Sequence, residues 1–196
     1  MNPWWIVLGL AFALRGAAET PPTPADSADV PARLNLGRPA TPEEIARWDI
    51  AVRPDGRGLP KGGGNAAQGA PIYLAKCMAC HGPAGEGVSG VASQLISPPR
   101  EKFDFAISMQ AEKEKTIGNY WPYATTVFDY VRRAMPFNAP GSLTADEIYA
   151  LTAFLLMKNG VIPEAAEMNA RSLPLVRMPA QSRFVPDDRL KSNRVR

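Results

Sequence analysis

Three residues that could bind a metal cofactor lie within five positions of the chain, in the run Cys77-Met78-Ala79-Cys80-His81. Two thiols at this spacing can form thioether bonds to the two vinyl groups of a porphyrin, and the histidine that follows can ligate its iron. The Cys-x-x-Cys-His pattern is typical of c-type haem attachment. The sequence therefore predicts one covalently bound haem c, attached through Cys77 and Cys80, with His81 as an iron ligand.

Two other kinds of site use the same cysteine spacing. A thioredoxin-like redox pair places Cys-x-x-Cys between a strand and a helix and does not need the histidine. A structural zinc site needs four ligands. The chain has two cysteines and one histidine in all, so the fourth zinc ligand would have to be a carboxylate. Haem is the better interpretation of the motif.

A haem iron bound through His81 has a second axial position, whose ligand decides between electron transfer and catalysis. No second histidine exists, so the remaining soft donors are methionines. Met135 is the best candidate because it follows an amphipathic helix and precedes Pro136, which keeps the chain extended. Met109 is the second choice, and packing in the core is the alternative role for Met135. A thioether ligand raises the reduction potential and closes the iron to small ligands, which favours single-electron transfer.

A helix is predicted immediately before the haem motif. Asn65 is suited to cap it, and the helix is expected to run from Ala66 to about Met78, where it would deliver the cysteines. Gly82-Pro83 would end it. Pro71 lies early in this span and is expected to shift the start of the helix or bend its first turn.

Two more helices are predicted after the motif. Apolar residues recur at intervals of three and four between Thr125 and Ala134. Thr144-Ala145-Asp146-Glu147 forms a capping box, and an apolar helix follows from Glu147 to Lys158. Gly69 and Tyr73 are expected to allow a close crossing between the first helix and this last one. Because no strand-like alternation is evident, the predicted fold class is all-α.

Several polar and aromatic residues near Met135 have roles that the sequence leaves open. Tyr120, Trp121 and Tyr123 could wall the haem pocket and donate to the haem propionates, or form an ordinary aromatic core. Arg132 and Arg133 could pair with a propionate, face a partner or lie solvated.

The N-terminus predicts export. Residues 1–18 read as a signal peptide, because Trp4 to Leu14 is apolar and Gly16-Ala17-Ala18 offers small residues before a cleavage site. A retained anchor is the alternative, but the eleven apolar residues fall short of the roughly 20 that a spanning helix needs. No later run approaches that length, so no membrane span is expected in the mature chain. Covalent haem attachment in bacteria occurs outside the cytoplasm, which favours the periplasm.

The rest of the chain divides by composition into a centre and two arms. Residues 19–64 are expected to form a leader, a short helix opened by Thr41-Pro42-Glu43-Glu44 and a Gly/Pro-rich linker. Residues 65–162 would be the haem domain, and residues 163–196 an irregular C-terminal arm. The formal net charge is +3, and basic residues do not cluster with aromatic ones, which excludes a nucleic-acid-binding function.

The motifs resemble those of class I c-type cytochromes. The resemblance rests on Cys77 to His81, on the helix after Thr144, and on Arg132-Arg133-Ala134-Met135-Pro136. It implies a small α-helical fold in which the first and last helices cross beside the haem. It also implies that Cys77 and Cys80 are the thioether sites, His81 the proximal ligand and Met135 the distal one.

A narrower resemblance points to the SoxD family, the cytochrome subunits of the bacterial periplasmic Sox sulfur-oxidising system. It is carried by four segments: Gly37 to Ile45, Trp48 to Ile50, Tyr120 to Thr126 and Ala134 to Pro140. It implies a SoxC-like, molybdenum-containing sulfane dehydrogenase subunit as the partner and another cytochrome as the electron acceptor. Related cytochromes serve sulfite dehydrogenases. This chain has a single haem motif, whereas some members of the family have two.

Three functions follow from these observations. The first is an electron-transfer subunit of an oxidoreductase complex, in which the partner performs the oxidation and this chain is not catalytic by itself. In that complex Trp48 and residues 41–64 could dock the partner, or pack over the haem domain. The second function is a free-standing diffusible electron shuttle. The third, a haem enzyme such as a peroxidase or nitrite reductase, requires an open iron position.

Overall fold

The computed structural model describes residues 37–99, 102–103, 105 and 114–185. The chain divides into two units, Met1–Thr41 and Pro42–Arg196. The described part of the first unit, residues 37–41, forms no helix or strand. The predicted signal peptide, most of the leader, the end of the C-terminal arm and Met109 lie outside the described residues.

The second unit is mainly helical. Its described elements are, in chain order, α1 (Pro42–Trp48), β1 (Gly63–Asn65), α2 (Ala66–Lys76), α3 (Met78–His81), α4 (Ile117–Tyr120), α5 (Ala124–Ala134), α6 (Ala145–Lys158) and β2 (Glu167–Asn169), followed by two 3-10 turns, Leu173–Leu175 and Gln181–Arg183. Within the described ranges, no helix is long and apolar enough to cross a membrane. The all-α fold class is confirmed, with one small sheet added.

The helices that flank the site begin where the sequence predicts. The Asn65 side chain accepts a hydrogen bond from the backbone N–H of Gln68 at 3.0 Å, and the Gln68 side chain accepts one from the N–H of Asn65 at 2.9 Å. Thr144 and Glu147 form the same reciprocal box at the start of α6. Pro71 lies inside α2 without ending it.

The prediction that the first helix runs to about Met78 was wrong, because the helix is interrupted at Cys77. Helix α2 ends at Lys76, and Cys77 lies between it and α3 with φ −121° and ψ −36°. The haem motif therefore occupies a separate turn, α3, instead of the end of α2.

Helices α2 and α6 cross at a glycine, as predicted. A Cβ atom added at Gly69 would collide with the carbonyl oxygen of Ala150 and lie 2.8 Å from the Cβ of Phe154. One turn further along α2, the Tyr73 ring is fully buried with its centroid 5.1 Å from that of Phe154. On the other side of α6, the ring of Tyr149 lies 4.5 Å from that of Phe128 in α5. The core lies between these three helices.

The expectation of no strands was wrong, because each of the two strands is too short to show alternation. Strands β1 and β2 pair antiparallel, with Gly63 opposite Asn169 and Asn65 opposite Glu167. Beyond β2, Leu173 and Met178 are buried in the core. The described part of the C-terminal arm therefore packs on the domain through a strand and two 3-10 turns.

The Gly/Pro-rich linker and the residues just before it also pack on the domain, through side chains of α5 that include Thr125, which donates to the carbonyl oxygen of Pro54 at 3.2 Å. Asp129 accepts a hydrogen bond from the backbone N–H of Val52 at 2.8 Å, and Val52 itself is buried. Arg132 donates to the carbonyl oxygen of Ile50 at 2.9 Å. Residues 50–60 therefore lie across α5 and are held there by hydrogen bonds.

We expect Gly69→Ala to destabilise the protein strongly, because the added methyl group meets backbone atoms of α6 that cannot move without separating the helices. The expected loss in the free energy of unfolding is about 3 kcal/mol or more, measured by denaturant unfolding of the haem-loaded protein. Ala67→Gly, at an exposed position of α2, is the control and should cost only about 1 kcal/mol of helix propensity. Equal losses would contradict the close crossing.

Candidate haem site

The three residues of the haem motif are brought into one helical turn. The backbone N–H of His81 donates to the carbonyl oxygen of Cys77 at 2.9 Å, and that of Gly82 donates to Met78 at 2.9 Å. Gly82 then leaves the helix with φ +78°, in the left-handed region that favours glycine. Cys77 and Cys80, three residues apart in this turn, lie on the same side of it.

The two cysteines differ in their surroundings. Neither forms a disulfide. Cys77 is half-buried against the core, and this burial raises the pKa of its thiol to about 11. Cys80 is exposed. Before any thioether bond forms, the thiol of Cys77 is therefore protonated at neutral pH.

The His81 ring is oriented by a backbone carbonyl. Its Nδ1 lies 2.9 Å from the carbonyl oxygen of Ser93. Because a carbonyl oxygen only accepts, Nδ1 must carry the proton and donate, which leaves the lone pair of Nε2 free. A histidine held in this tautomer is suited to ligate a metal through Nε2. The donor set thus fits a haem iron.

A glycine-rich loop brings Ser93 to the histidine. The N–H of Gly87 donates to the carbonyl oxygen of His81 at 2.8 Å, and the N–H of Leu95 donates to Gly85 at 2.8 Å. Both bonds fold residues 82–97 back along α3. The part that this loop plays in placing Ser93 cannot be read from the sequence, because it depends on main-chain hydrogen bonds.

Tyr73 joins the haem motif to the core. Its hydroxyl donates a hydrogen bond of 2.7 Å to the carbonyl oxygen of Gly82, the residue that follows His81. Burial raises the pKa of this hydroxyl to about 12. The bond therefore persists throughout the neutral and mildly alkaline range.

Met135 lies where α5 ends. Its backbone is extended, with φ −124° and ψ 146°, and its N–H donates to Val131 at 3.1 Å. Together with Cys77, Leu95 and Trp121, it packs against the core while keeping part of its surface exposed. Partly exposed apolar side chains of this kind are suited to contact an apolar ring.

The aromatic and basic residues near Met135 make contacts within the chain. The Tyr120 ring meets Phe184 edge-on, with 5.7 Å between centroids, and Trp121 meets Tyr130 in the same way at 5.7 Å. Tyr123 is the residue before α5. Phe184 and Tyr130 are themselves 45% and 48% exposed, so these ring contacts lie near the surface and do not form an aromatic core.

The two arginines are also engaged within the chain. Arg132 binds the carbonyl oxygen of Ile50, as described above. Arg133 forms an ion pair with Asp129, which raises the pKa of the Arg133 guanidinium through a side-chain hydrogen bond. The Arg132 contact was not anticipated, because the sequence does not show that residues 50–60 lie across α5. The Arg133 ion pair was missed although its spacing of four residues on one helix is a local signal.

A cleft of about 480 Å³ is lined by Glu86 to Gln94 and by Glu114. None of Cys77, Cys80, His81 and Met135 lines it. Gly87 and Ser93, which are hydrogen-bonded to His81, do line it, so the cleft adjoins the candidate haem site.

Comparison with known proteins decides the family. The Cytochrome c family model matches residues 66–158. A chain in the crystal structure of the sulfane dehydrogenase SoxCD from Paracoccus pantotrophus is similar to this one at 40% identity, over 82% of this chain and 76% of that chain, with a TM-score of 0.68. This chain belongs to the cytochrome c family. No curated protein matched its sequence.

The protein is thus a class I c-type cytochrome that resembles SoxD. Membership of the family implies a covalently bound haem c and a function in electron transfer. The resemblance to class I c-type cytochromes and to SoxD, predicted from the motifs, is confirmed. The helical fold that it implied is confirmed as well.

We predict that Tyr73→Phe lowers the stability of this cytochrome by about 1 kcal/mol at neutral pH, the usual net value of a buried hydrogen bond. The pKa of Tyr73 is raised in the folded state, so the contribution of its hydroxyl is fully present below pH 10, the ordinary pKa. It is lost as the pH rises through about 12. The difference in unfolding free energy between the two proteins should therefore narrow over that interval.

Denaturant unfolding at a series of pH values measures this difference. Tyr130→Phe, at an exposed position of α5, is the control and should leave stability unchanged at every pH. If the wild-type protein stays more stable than Tyr73→Phe by the same unfolding free energy up to pH 12, the stabilising hydrogen bond assigned to the Tyr73 hydroxyl is contradicted.

Proposed function

We propose that this cytochrome is a periplasmic, mono-haem electron carrier that serves as the cytochrome subunit of a molybdenum-dependent sulfane or sulfite dehydrogenase. The similarity to a chain of SoxCD carries the proposal. It covers 82% of the chain, whereas the Cytochrome c model is confined to residues 66–158. The likeness therefore extends into the arms, which a general cytochrome domain does not contain.

The proposed haem ligands come from two parts of the haem domain, residues 65–162. Cys77 and Cys80 would form the thioether bonds, His81 would ligate the iron through Nε2, and Met135 would supply the sulfur ligand. When bound, the haem supplies a one-electron Fe(II)/Fe(III) couple. The Met135 thioether favours the reduced state and so raises the potential.

One haem per chain follows from the count of ligands. Both cysteines and the sole histidine lie in one motif, so the sequence offers no second attachment site. Covalent attachment in bacteria takes place outside the cytoplasm, which supports the periplasm together with the predicted signal peptide of residues 1–18. That peptide lies outside the described residues.

The partner would oxidise the sulfur compound, and this subunit would pass the electrons singly to an acceptor cytochrome. With His81 and Met135 holding it, the iron would offer no open position for a substrate. This feature favours an electron carrier over a haem peroxidase or nitrite reductase.

The α1 helix is the proposed docking element for the SoxC-like partner. It has no buried residue, and Trp48 and Ile45 are 87% and 52% exposed. Residues 50–60, which follow α1, are hydrogen-bonded to side chains of α5. The C-terminal end of α1 is therefore attached to the haem domain. A free-standing shuttle has no use for an exposed tryptophan outside the haem domain, and this contrast favours the subunit over the shuttle.

We expect Trp48→Ala to weaken binding to the molybdenum subunit by more than tenfold, because exposed aromatic anchors carry much of the energy of interfaces. The measurement is size-exclusion chromatography of the native protein, followed by titration of the purified subunits. Leu175→Ala, equally apolar and 78% exposed on the other arm, is the control. If the wild-type protein elutes alone at its own mass and does not bind the partner, the free-shuttle alternative is correct.

Met135→Leu tests the sulfur ligand. This substitution keeps the apolar volume and removes the thioether. The absorption band at about 695 nm, which arises from a bond between methionine sulfur and haem iron, should therefore vanish, and the reduction potential of the haem should fall. Met78→Leu, at a half-exposed position inside the haem motif, is the matched control and should keep both properties. An unchanged spectrum of Met135→Leu would remove Met135 from the site.

Both variants should retain one covalently bound haem after denaturation and extraction with acid acetone, because Cys77 and Cys80 are intact. A wild-type protein that becomes colourless under this treatment, and has the mass of the bare polypeptide, would contradict the whole proposal.

A further inference from the structure

Asn159 ends α6 in the interior of the protein, with 3% of its surface exposed. Its Oδ1 accepts hydrogen bonds from the N–H groups of Ser97 at 2.8 Å and Gly118 at 3.1 Å. Its Nδ2 donates to the carbonyl oxygens of Leu95 at 3.2 Å and Leu155 at 2.7 Å. A side-chain amide can accept two hydrogen bonds and donate two, so all of its capacity is used.

Two of these bonds fix the segment that holds His81. Asn159 binds the carbonyl oxygen of Leu95 and the N–H of Ser97. Two residues before Leu95 is Ser93, whose carbonyl oxygen accepts the hydrogen bond from His81 Nδ1. A displacement of residues 95–97 would therefore move the carbonyl group that orients the histidine.

The junction around Asn159 has little room for adjustment. A Cβ atom at Gly118 would lie 2.8 Å from Ser97 Oγ and 2.9 Å from Asn159 Oδ1. The hydroxyl groups of Ser97 and Thr116 are also hydrogen-bonded to each other, and both residues are buried. Loss of the Asn159 amide would leave the buried N–H groups of Ser97 and Gly118 without their acceptor, which favours displacement of the segment toward other partners.

We propose that Asn159 is a positioning residue for the iron ligand His81 and thereby sets the reduction potential; this rests on the proposed ligation of haem by His81. The Nδ1–H bond to a carbonyl raises the basicity of Nε2. A more basic nitrogen stabilises Fe(III), which lowers the potential. When the Ser93 carbonyl is held less firmly, the bond weakens and the potential rises.

The test is Asn159→Ala in the haem-loaded protein. The proton on His81 Nδ1, observed by NMR, should exchange with solvent about fivefold faster, which is the change expected when one hydrogen bond of ordinary strength is lost. The midpoint potential should rise. Asn169→Ala is the matched control, because Asn169 Oδ1 also accepts from two N–H groups, those of Arg171 at 2.9 Å and Ser172 at 3.1 Å, but in the C-terminal arm. It should change neither property.

If Asn159→Ala loses stability while the exchange rate and the potential stay as in the wild-type protein, the proposal is overturned and Asn159 is a structural residue only. Asn159→Asp is a milder variant, because it keeps the acceptor for Ser97 and Gly118 and loses the donor to Leu95. Because a carboxylate at this position would itself lower the potential, the measured quantity for this variant is the exchange rate of the His81 Nδ1 proton. That rate should rise as in Asn159→Ala, and an unchanged rate would count against the proposal.

A measurement on the wild-type protein needs no variant. In native-state hydrogen exchange, the amides of Ser97 and Gly118 and the His81 Nδ1 proton should open together, with one free energy and one denaturant dependence. If the histidine proton stays protected in an opening that exposes both amides, the coupling does not exist. Either negative result leaves the haem spectrum intact, whereas failure of the proposed function would show as missing haem or an unaltered Met135→Leu spectrum.

Discussion

The close approach of α2 and α6 at Gly69 is the constraint on which the rest of the site depends. Beyond this crossing each helix carries a group that fixes the haem motif or the segment in contact with it. Helix α2 presents Tyr73, whose hydroxyl binds Gly82 next to the iron ligand. Helix α6 ends in Asn159, which holds the segment that contacts His81. A change in the distance between the helices would therefore disturb the histidine from two directions.

Much of this organisation could be predicted from the sequence, because it depends on local signals. The caps at Asn65 and Thr144, the amphipathic period of α5 and the small residue at Gly69 each act within a few positions of the chain. The chemistry of the Cys-x-x-Cys-His run is equally local. The short break at Cys77 was missed, because nothing in the residue types there distinguishes one helix from two.

What could not be predicted are contacts between distant segments. Arg132 binds the backbone of Ile50, and Asn159 binds that of Leu95 and Ser97. The partner in each case is a main-chain group, which has the same chemistry at every residue and therefore leaves no mark in the sequence. The histidine is oriented in the same way, by the carbonyl of Ser93 and not by its side chain.

The pairing of β1 with β2 has a consequence for the order in which the protein is completed. It joins Asn65, directly before α2, to Glu167, which lies about a hundred residues further along the chain. The helices close their own hydrogen bonds within a few residues, whereas this sheet needs two segments from opposite ends of the helical domain to meet. Closing so long a loop costs chain entropy that the helices do not incur, so we expect the sheet to form after the helices have packed.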